Sequence, residues 1–349
     1  MLYCGTYLAG RDTWRWRRQR RWNDNRKCGE AVNGRGQILA LASSKGGVGK
    51  THLVVSLSAA LAKRYARVLL IDADLGNGII ADRIGFSPRH KLSHFFVKEK
   101  GLMDLIEETP FGFFLISGEP GNLALANLNY LQEMKFLRSF FEVSCSFDFV
   151  VLDLASGMKR QAIDFALLAE KTIIVTSPHD LVSAYGSMRG CFSRFMHLEA
   201  TLFKRIEDYK VRQVFKPHIL LNHVNNLYQG ETDFEALENA VKSRLGSTGG
   251  NFNIRMVHLG SVFHDPELFR KAEEQRCPAS EVSAYTRVAF CVDSMATVIC
   301  SRSPFRGFYR EEGRLRYILE MLMEQQQRLR KGLTPKVTRV PSMRIPFHH

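Results

Sequence analysis

Ser43-Ser44-Lys45-Gly46-Gly47-Val48-Gly49-Lys50-Thr51 joins a short apolar run, Ile38 to Ala42, to a segment patterned as a helix, His52 to Ala62. The order is strand, glycine loop, helix. Gly46, Gly47 and Gly49 let successive backbone N–H groups turn inward around an oxyanion, and the helix N-terminus adds a partial positive charge. Lys50 is then placed to reach the β- and γ-phosphates of a nucleotide, and Thr51 to ligate Mg²⁺. The usual pattern, G-x4-G-K-[ST], wants a glycine at position 44. The chain has Ser44 there, followed by a second lysine, Lys45.

Two further apolar runs end in carboxylates. Arg67 to Gly76 carries Asp72 and Asp74 at its end, and Phe147 to Gly157 carries Asp153 four residues before the glycine. Buried parallel strands would deliver all three carboxylates at their C-terminal edge, beside the glycine loop. More strands are expected at Phe113 to Ser117, Lys171 to Thr176, Pro217 to Leu221 and Ile254 to Gly260. Helices are expected at Asn127 to Val143, from His179 onward, from His264-Asp265-Pro266 to Arg276, and from Tyr285 to Cys300. Residues 83–112 read as short helices, and 196–215 as an insertion or an extension of the preceding helix. The expected fold is α/β: a doubly wound, mostly parallel sheet with helices on both faces.

At 349 residues, with 45% apolar and 24% charged residues, the chain reads as soluble and globular with one main domain. Its net charge of +14 is unevenly spread: +6 over residues 1–36, +1 over 37–301 and +7 over 302–349. A nearly neutral body thus carries two basic tails, which suit an acidic surface or serve only as solvated, solubilising ends. The seven cysteines, Cys4, Cys28, Cys145, Cys191, Cys277, Cys291 and Cys300, are scattered and form no C-x-x-C pair. They read as reduced thiols of a cytoplasmic protein. No apolar run reaches the roughly 18 residues that a membrane span needs, and no apolar signal segment opens the chain.

The motif Lys45-Gly-Gly-Val-Gly-Lys50-Thr51 resembles the deviant phosphate loop of the MinD/ParA superfamily. The resemblance covers residues 37–300 and implies ATP and Mg²⁺ as cofactors and a homodimer formed on ATP binding. In that family the extra lysine, here Lys45, crosses the dimer interface to the partner's phosphates. It assigns Lys45, Lys50 and Asp74 to catalysis, with Asp74 orienting the attacking water. Thr51, Asp72 and Asp153 would serve Mg²⁺; Gly46, Gly47, Val48, Gly49, Lys50, Thr51 and His52 would surround the phosphates. Asn222, at a strand end, would hydrogen-bond the adenine edge, as an amide carrying both donor and acceptor can. Two departures stand out: His52 replaces the family's usual second Thr or Ser, and Ser261 to His264 lacks its customary proline.

Thr176-Ser177-Pro178 followed by Ser183-Ala184-Tyr185 is similar to the FlhG-like flagellar-number regulators of the superfamily. The implied function is a slow, partner-stimulated ATPase switch for placing flagella or other sites at the membrane. The alternatives are a ParA-like DNA-partitioning ATPase and an ATP-binding regulator with little turnover. Iron–sulfur carriers of the superfamily need cysteine pairs, and its tyrosine kinases a C-terminal tyrosine cluster; neither is in this sequence.

The tails lie outside the resemblance. Residues 1–36 include Trp14, Trp16 and Trp22 among arginines, with no sustained helical period. They are expected to be disordered, and either meet anionic lipid or single-stranded nucleic acid or have no role. In residues 302–349, Leu315, Ile318, Leu319, Leu322 and Leu329 fall at helical spacing among arginines. Such an amphipathic helix could lie on an anionic membrane, placing the protein reversibly at the inner face of the cell membrane. It could equally pack on a protein regulator or client, with nucleic acid the weaker option.

Overall fold

The computed structural model describes residues 36–301, apart from residues 65, 98, 123–124, 126–127, 158, 206–208 and 247–249. Both expected tail segments lie outside the described residues. The central sheet is built from β1 (Gln37–Ser43), β2 (Val68–Ala73), β3 (Glu107–Glu108), β4 (Phe114–Ile116), β5 (Phe149–Leu154), β6 (Lys171–Thr176), β8 (His218–Val224) and β10 (Val257–Phe263). Their order is β10-β8-β6-β1-β5-β2-β4-β3, parallel throughout except for the antiparallel β3 edge. This is the doubly wound sheet expected.

Every residue of β2 and β5 is buried, which is why both read as unbroken apolar runs. The two-residue period of a strand divides β1 between two layers. Leu39 and Leu41 face α1 (Lys50–Lys63) and the C-terminal helices α8 (Pro266–Glu274), α9 (Ala279–Val282) and α10 (Arg287–Ser301). Ile38 and Ala40 face α4 (Tyr130–Ser144) and α5 (Arg160–Leu168). A third cluster packs α6 (Leu181–Arg205) and α7 (Leu227–Leu245) over β6 and β8. Helix α1 is buried along most of its length, with α9 and α10 packed against it. The short helices α2 (Ile80–Arg83) and α3 (Leu92–Phe96) follow β2.

Two elements differ from the sequence reading, and a third settles between its alternatives. The strand expected at Ile254 to Gly260 is split: β9 (Asn253–Ile254) pairs with β7 (Val214–Phe215) in a small separate sheet, and the main strand runs from Val257 to Phe263. Helix α7 was not anticipated, since only Gly230, Leu237, Val241 and Leu245 of its residues are buried and its apolar stripe is thin. Its start was nonetheless marked, because the Asn226 side chain accepts from Gln229 N at 2.8 Å as an N-cap. The 196–215 segment resolves as the extension of a helix, α6, to Arg205.

Helix α4 begins with a reciprocal cap: Asn129 Oδ1 accepts from Gln132 N at 3.1 Å, and Gln132 Oε1 accepts from Asn129 N at 2.9 Å. Next to it, Glu133 is pushed up to about 7, by burial first and by the charge of Asp164 second, with Arg160 acting in the opposite direction. A carboxyl raised on folding adds stability that is complete below its unfolded value near 4.5 and is lost as pH rises through about 7. Glu133→Gln should therefore match the wild type in thermal midpoint near pH 4.5 and exceed it increasingly toward pH 8. A gap that stays constant over this range would show that Glu133 does not titrate with folding.

Candidate nucleotide-binding site

A cleft of about 550 Å³ opens at the C-terminal edge of the sheet, with the glycine loop as one wall. Gly47 has φ 83° and Gly49 φ 77°, conformations that an L side chain resists. Gly49 is also crowded: a Cβ there would lie 2.4 Å from Asn222 Nδ2. That amide donates to Val48 O at 2.9 Å, so Asn222, fully buried on β8, braces the loop from behind. In this arrangement Asn222 supports the loop, and its neighbour His223 lines the cleft in its place.

Lys50, the first residue of α1, is buried and forms an ion pair with Asp153 Oδ1. Thr51 Oγ1 donates to the other oxygen, Asp153 Oδ2, at 2.9 Å. Pairing of β2 with β5 puts Asp72 directly beside Asp153. Burial, reinforced by the Asp153 charge, pushes the Asp72 carboxyl well above the ordinary carboxylate range, against the hydrogen bond it accepts from Ile80 N at 3.0 Å. Asp74 is half-buried on the cleft wall and also raised, by burial first, with Lys50 working against the shift. Lys50 thus faces three carboxylates, and Lys159 also acts on Asp74.

The donors fit Mg²⁺, a hard cation that takes oxygen ligands. A hydroxyl and buried carboxylates of one sign stand together, and a divalent cation would balance them. Among the described residues no group of three or more His, Cys, Asp or Glu side chains forms a complete cage. This suits an ion that draws the rest of its shell from phosphate oxygens and water.

Lys45 lies at the rim, 56% exposed, with Nζ 2.6 Å from Asp180 Oδ1. The Lys45 hydrogen bond, with help from Ser177, holds the Asp180 carboxyl below its usual range. Gly157, at φ 93°, donates its N–H to Ser43 O at 2.9 Å and ties the loop after β5 to the end of β1. His52 lines the cleft one residue past Thr51. Its Nε2 accepts from Arg83 Nη1 at 2.6 Å and lies 3.1 Å from Glu273 Oε1, and its ring lies 5.2 Å from that of Phe269. Burial, then the Arg83 charge, lowers its pKa. Sequence reasoning did not find Asp180, Arg83, Phe269 or Glu273, which reach the site from distant segments.

Residues 36–203 match a family model described as an AAA domain. The antiactivator FleN of Pseudomonas aeruginosa is 25% identical over 266 residues, which cover 74% of this chain and 86% of FleN. The flagellum site-determining protein YlxH of Helicobacter pylori is 24% identical over 246 residues, 70% of this chain and 75% of YlxH. The fold aligns with the septum site-determining protein MinD of Pyrococcus horikoshii, solved with Mg-ADP, at a TM-score of 0.53 and 20% identity, covering 76% of this chain and 96% of that one. In sequence the chain is similar to FleN and YlxH along most of its length, and its fold is that of MinD. The glycine loop, Lys50 and Thr51 line the cleft together with Asp72, Asp74 and Asp153.

The crowding at Gly49 sets a test. Gly49→Ala must place a Cβ at φ 77° and displace the Asn222 amide, so it should cost about 1–3 kcal/mol of unfolding free energy. Urea denaturation measures the loss, and a variant as stable as the wild type would show that the loop is not held from behind.

Proposed function

We propose that the chain is an ATP-driven dimerisation switch that sets the number or placement of flagella. The observation that carries this reading is the division of labour between the two lysines. Lys50 is buried on Asp153, while Lys45 stands at the rim with more than half of its side chain exposed. A lysine in that position is open to a second copy of the chain presented at the same sheet edge. The likeness to FleN and YlxH along most of their lengths supports the flagellar role.

Bound MgATP would supply the γ-phosphoryl group whose transfer to water resets the switch. Lys50 and the loop N–H groups hold the phosphates and offset the charge that develops on them. Asp74 is on the cleft wall at the end of β2, where it can orient the attacking water. Its raised carboxyl is suited to sharing a proton with that water. Lys45 leaves Asp180 and adds its charge across the dimer.

The cellular location in this reading is cytoplasmic, with reversible attachment to the membrane. Among the described residues no helix is long and apolar enough to cross a bilayer. The basic amphipathic segment 302–349 would provide the attachment, weak in one copy and strong by avidity when an ATP dimer presents two.

Two experiments test these roles. Asp74→Ala should bind ATP as the wild type does and hydrolyse it about 100-fold or more slowly, accumulating as a dimer in gel filtration; wild-type turnover would place the water-positioning role elsewhere. In sedimentation with anionic liposomes, the full chain with ATP should pellet more than with ADP, and a chain ending at Ser301 should stay in the supernatant. Equal sedimentation in all cases, or salt-sensitive binding of the ATP state to duplex DNA instead, would favour the partition-type alternative.

A further inference from the structure

The cleft has two chemically different ends. Lys50, Asp72, Asp74, Asp153 and Ser156 line one, and His52, His223, His264, Pro266 and Phe269 line the other. The glycine loop and the buried Lys50 ammonium lie at the first end, so the phosphates of a nucleotide fall there. Its base therefore falls at the end built of rings. The ring of Phe269 lies 5.2 Å from that of His52 and 6.4 Å from that of His223, which in turn is 5.2 Å from His264. Flat faces of this kind stack a nucleobase with little regard to its identity.

Selectivity needs a polar group. Asn222 is fully buried and does not line the cleft; its Nδ2 donates to Val48 O. Glu273 is one helical turn beyond Phe269 on α8, so ring and carboxylate share one helix face, and both line the cleft. Glu273 Oε1 accepts from Arg83 Nη1 at 2.8 Å and lies 3.1 Å from His52 Nε2. Both contacts use Oε1 and leave Oε2 for a ligand. Arg83 comes from α2 and the carboxylate from α8, so the pair also fixes the rim geometry across the cleft.

We propose that the α8 face formed by Phe269 and Glu273 reads the nucleotide base, Phe269 by stacking and Glu273 by accepting a hydrogen bond from the exocyclic amine of adenine. The inference rests on the nucleotide-switch reading above and adds its base selectivity. Guanine carries a carbonyl oxygen where adenine carries that amine, and a carboxylate repels it. The chain therefore prefers adenine nucleotides, and Arg83 is a positioning residue that aims the carboxylate.

The test is calorimetric titration of the full chain with ATP, GTP and inorganic tripolyphosphate in Mg²⁺, the last having no base. Glu273→Gln replaces a pure acceptor by an amide that can also donate, so the preference for ATP over GTP should fall about 10-fold with tripolyphosphate affinity unchanged. Phe269→Ala should weaken ATP and GTP alike by about 10-fold or more, again sparing tripolyphosphate. An unchanged ATP to GTP ratio in Glu273→Gln overturns the reading of the base by Glu273. Equal losses of tripolyphosphate in either variant would mean that α8 acts only through the shape of the cleft. Lys50→Ala separates the two levels: all three ligands should lose binding, and wild-type affinity in that variant would instead overturn the nucleotide site itself.

Discussion

The pairing of Lys50 with Asp153 is the contact around which the cleft is arranged. It joins the first residue of α1 to β5, with both side chains nearly free of solvent. A buried charge left without its partner costs several kcal/mol, so neither residue can be lost cheaply. The register of the sheet adds a complication by putting Asp72 beside Asp153. Two carboxylates and one ammonium then share a dry corner, with Asp74 close by. Protein stability alone would not select such an excess of negative charge. A site that takes up a divalent cation with its ligand would, because the cation supplies what the side chains lack.

The central architecture was legible because its signals are local. β1, the glycine loop and α1 follow one another within the segment from Gln37 to Lys63, and β2 and β5 each end in the carboxylates they deliver. What escaped were contacts made across long sequence separations. Asp180 meets Lys45 from 135 residues away, and Glu273 meets His52 from 221. Nothing in the sequence near Asp180 or Glu273 marks either as a partner; the strand order brings them together. Asn222 carries a contact that the sequence did not announce. Its position at the end of β8 was read correctly, but its side chain is turned onto Val48 O because Gly49 leaves room for the amide.

The missed helix and the split strand have a common physical reason. Helix α7 lies at the outer flank of the sheet, over β8 and β10, and buries few side chains. Its pattern is dominated by solvent-facing residues, so apolar period is a poor guide there. The β7 and β9 pair is too short to show any alternation. Its bonds, among them Arg255 N to Phe215 O at 2.9 Å, hold the chain at the edge from which β8 and β10 start.

The loops that border the phosphate end are each wired to an element farther out. Asp72 accepts from Ile80 N, the first residue of α2, and α2 carries Arg83 to the Glu273 rim. The loop after β5 is tied by Gly157 N to Ser43 O, and α5 follows it, with Asp164 held by Arg194 of α6 through contacts of 2.7 and 3.1 Å. Charge arriving beside Asp72 and Asp153 therefore acts on groups one or two contacts from both outer helices. Contiguity alone carries no coupling energy. The energy comes from the difference in contacts between nucleotide states. In the proposed switch, that difference would be concentrated at the carboxylates beside the Lys50–Asp153 pair.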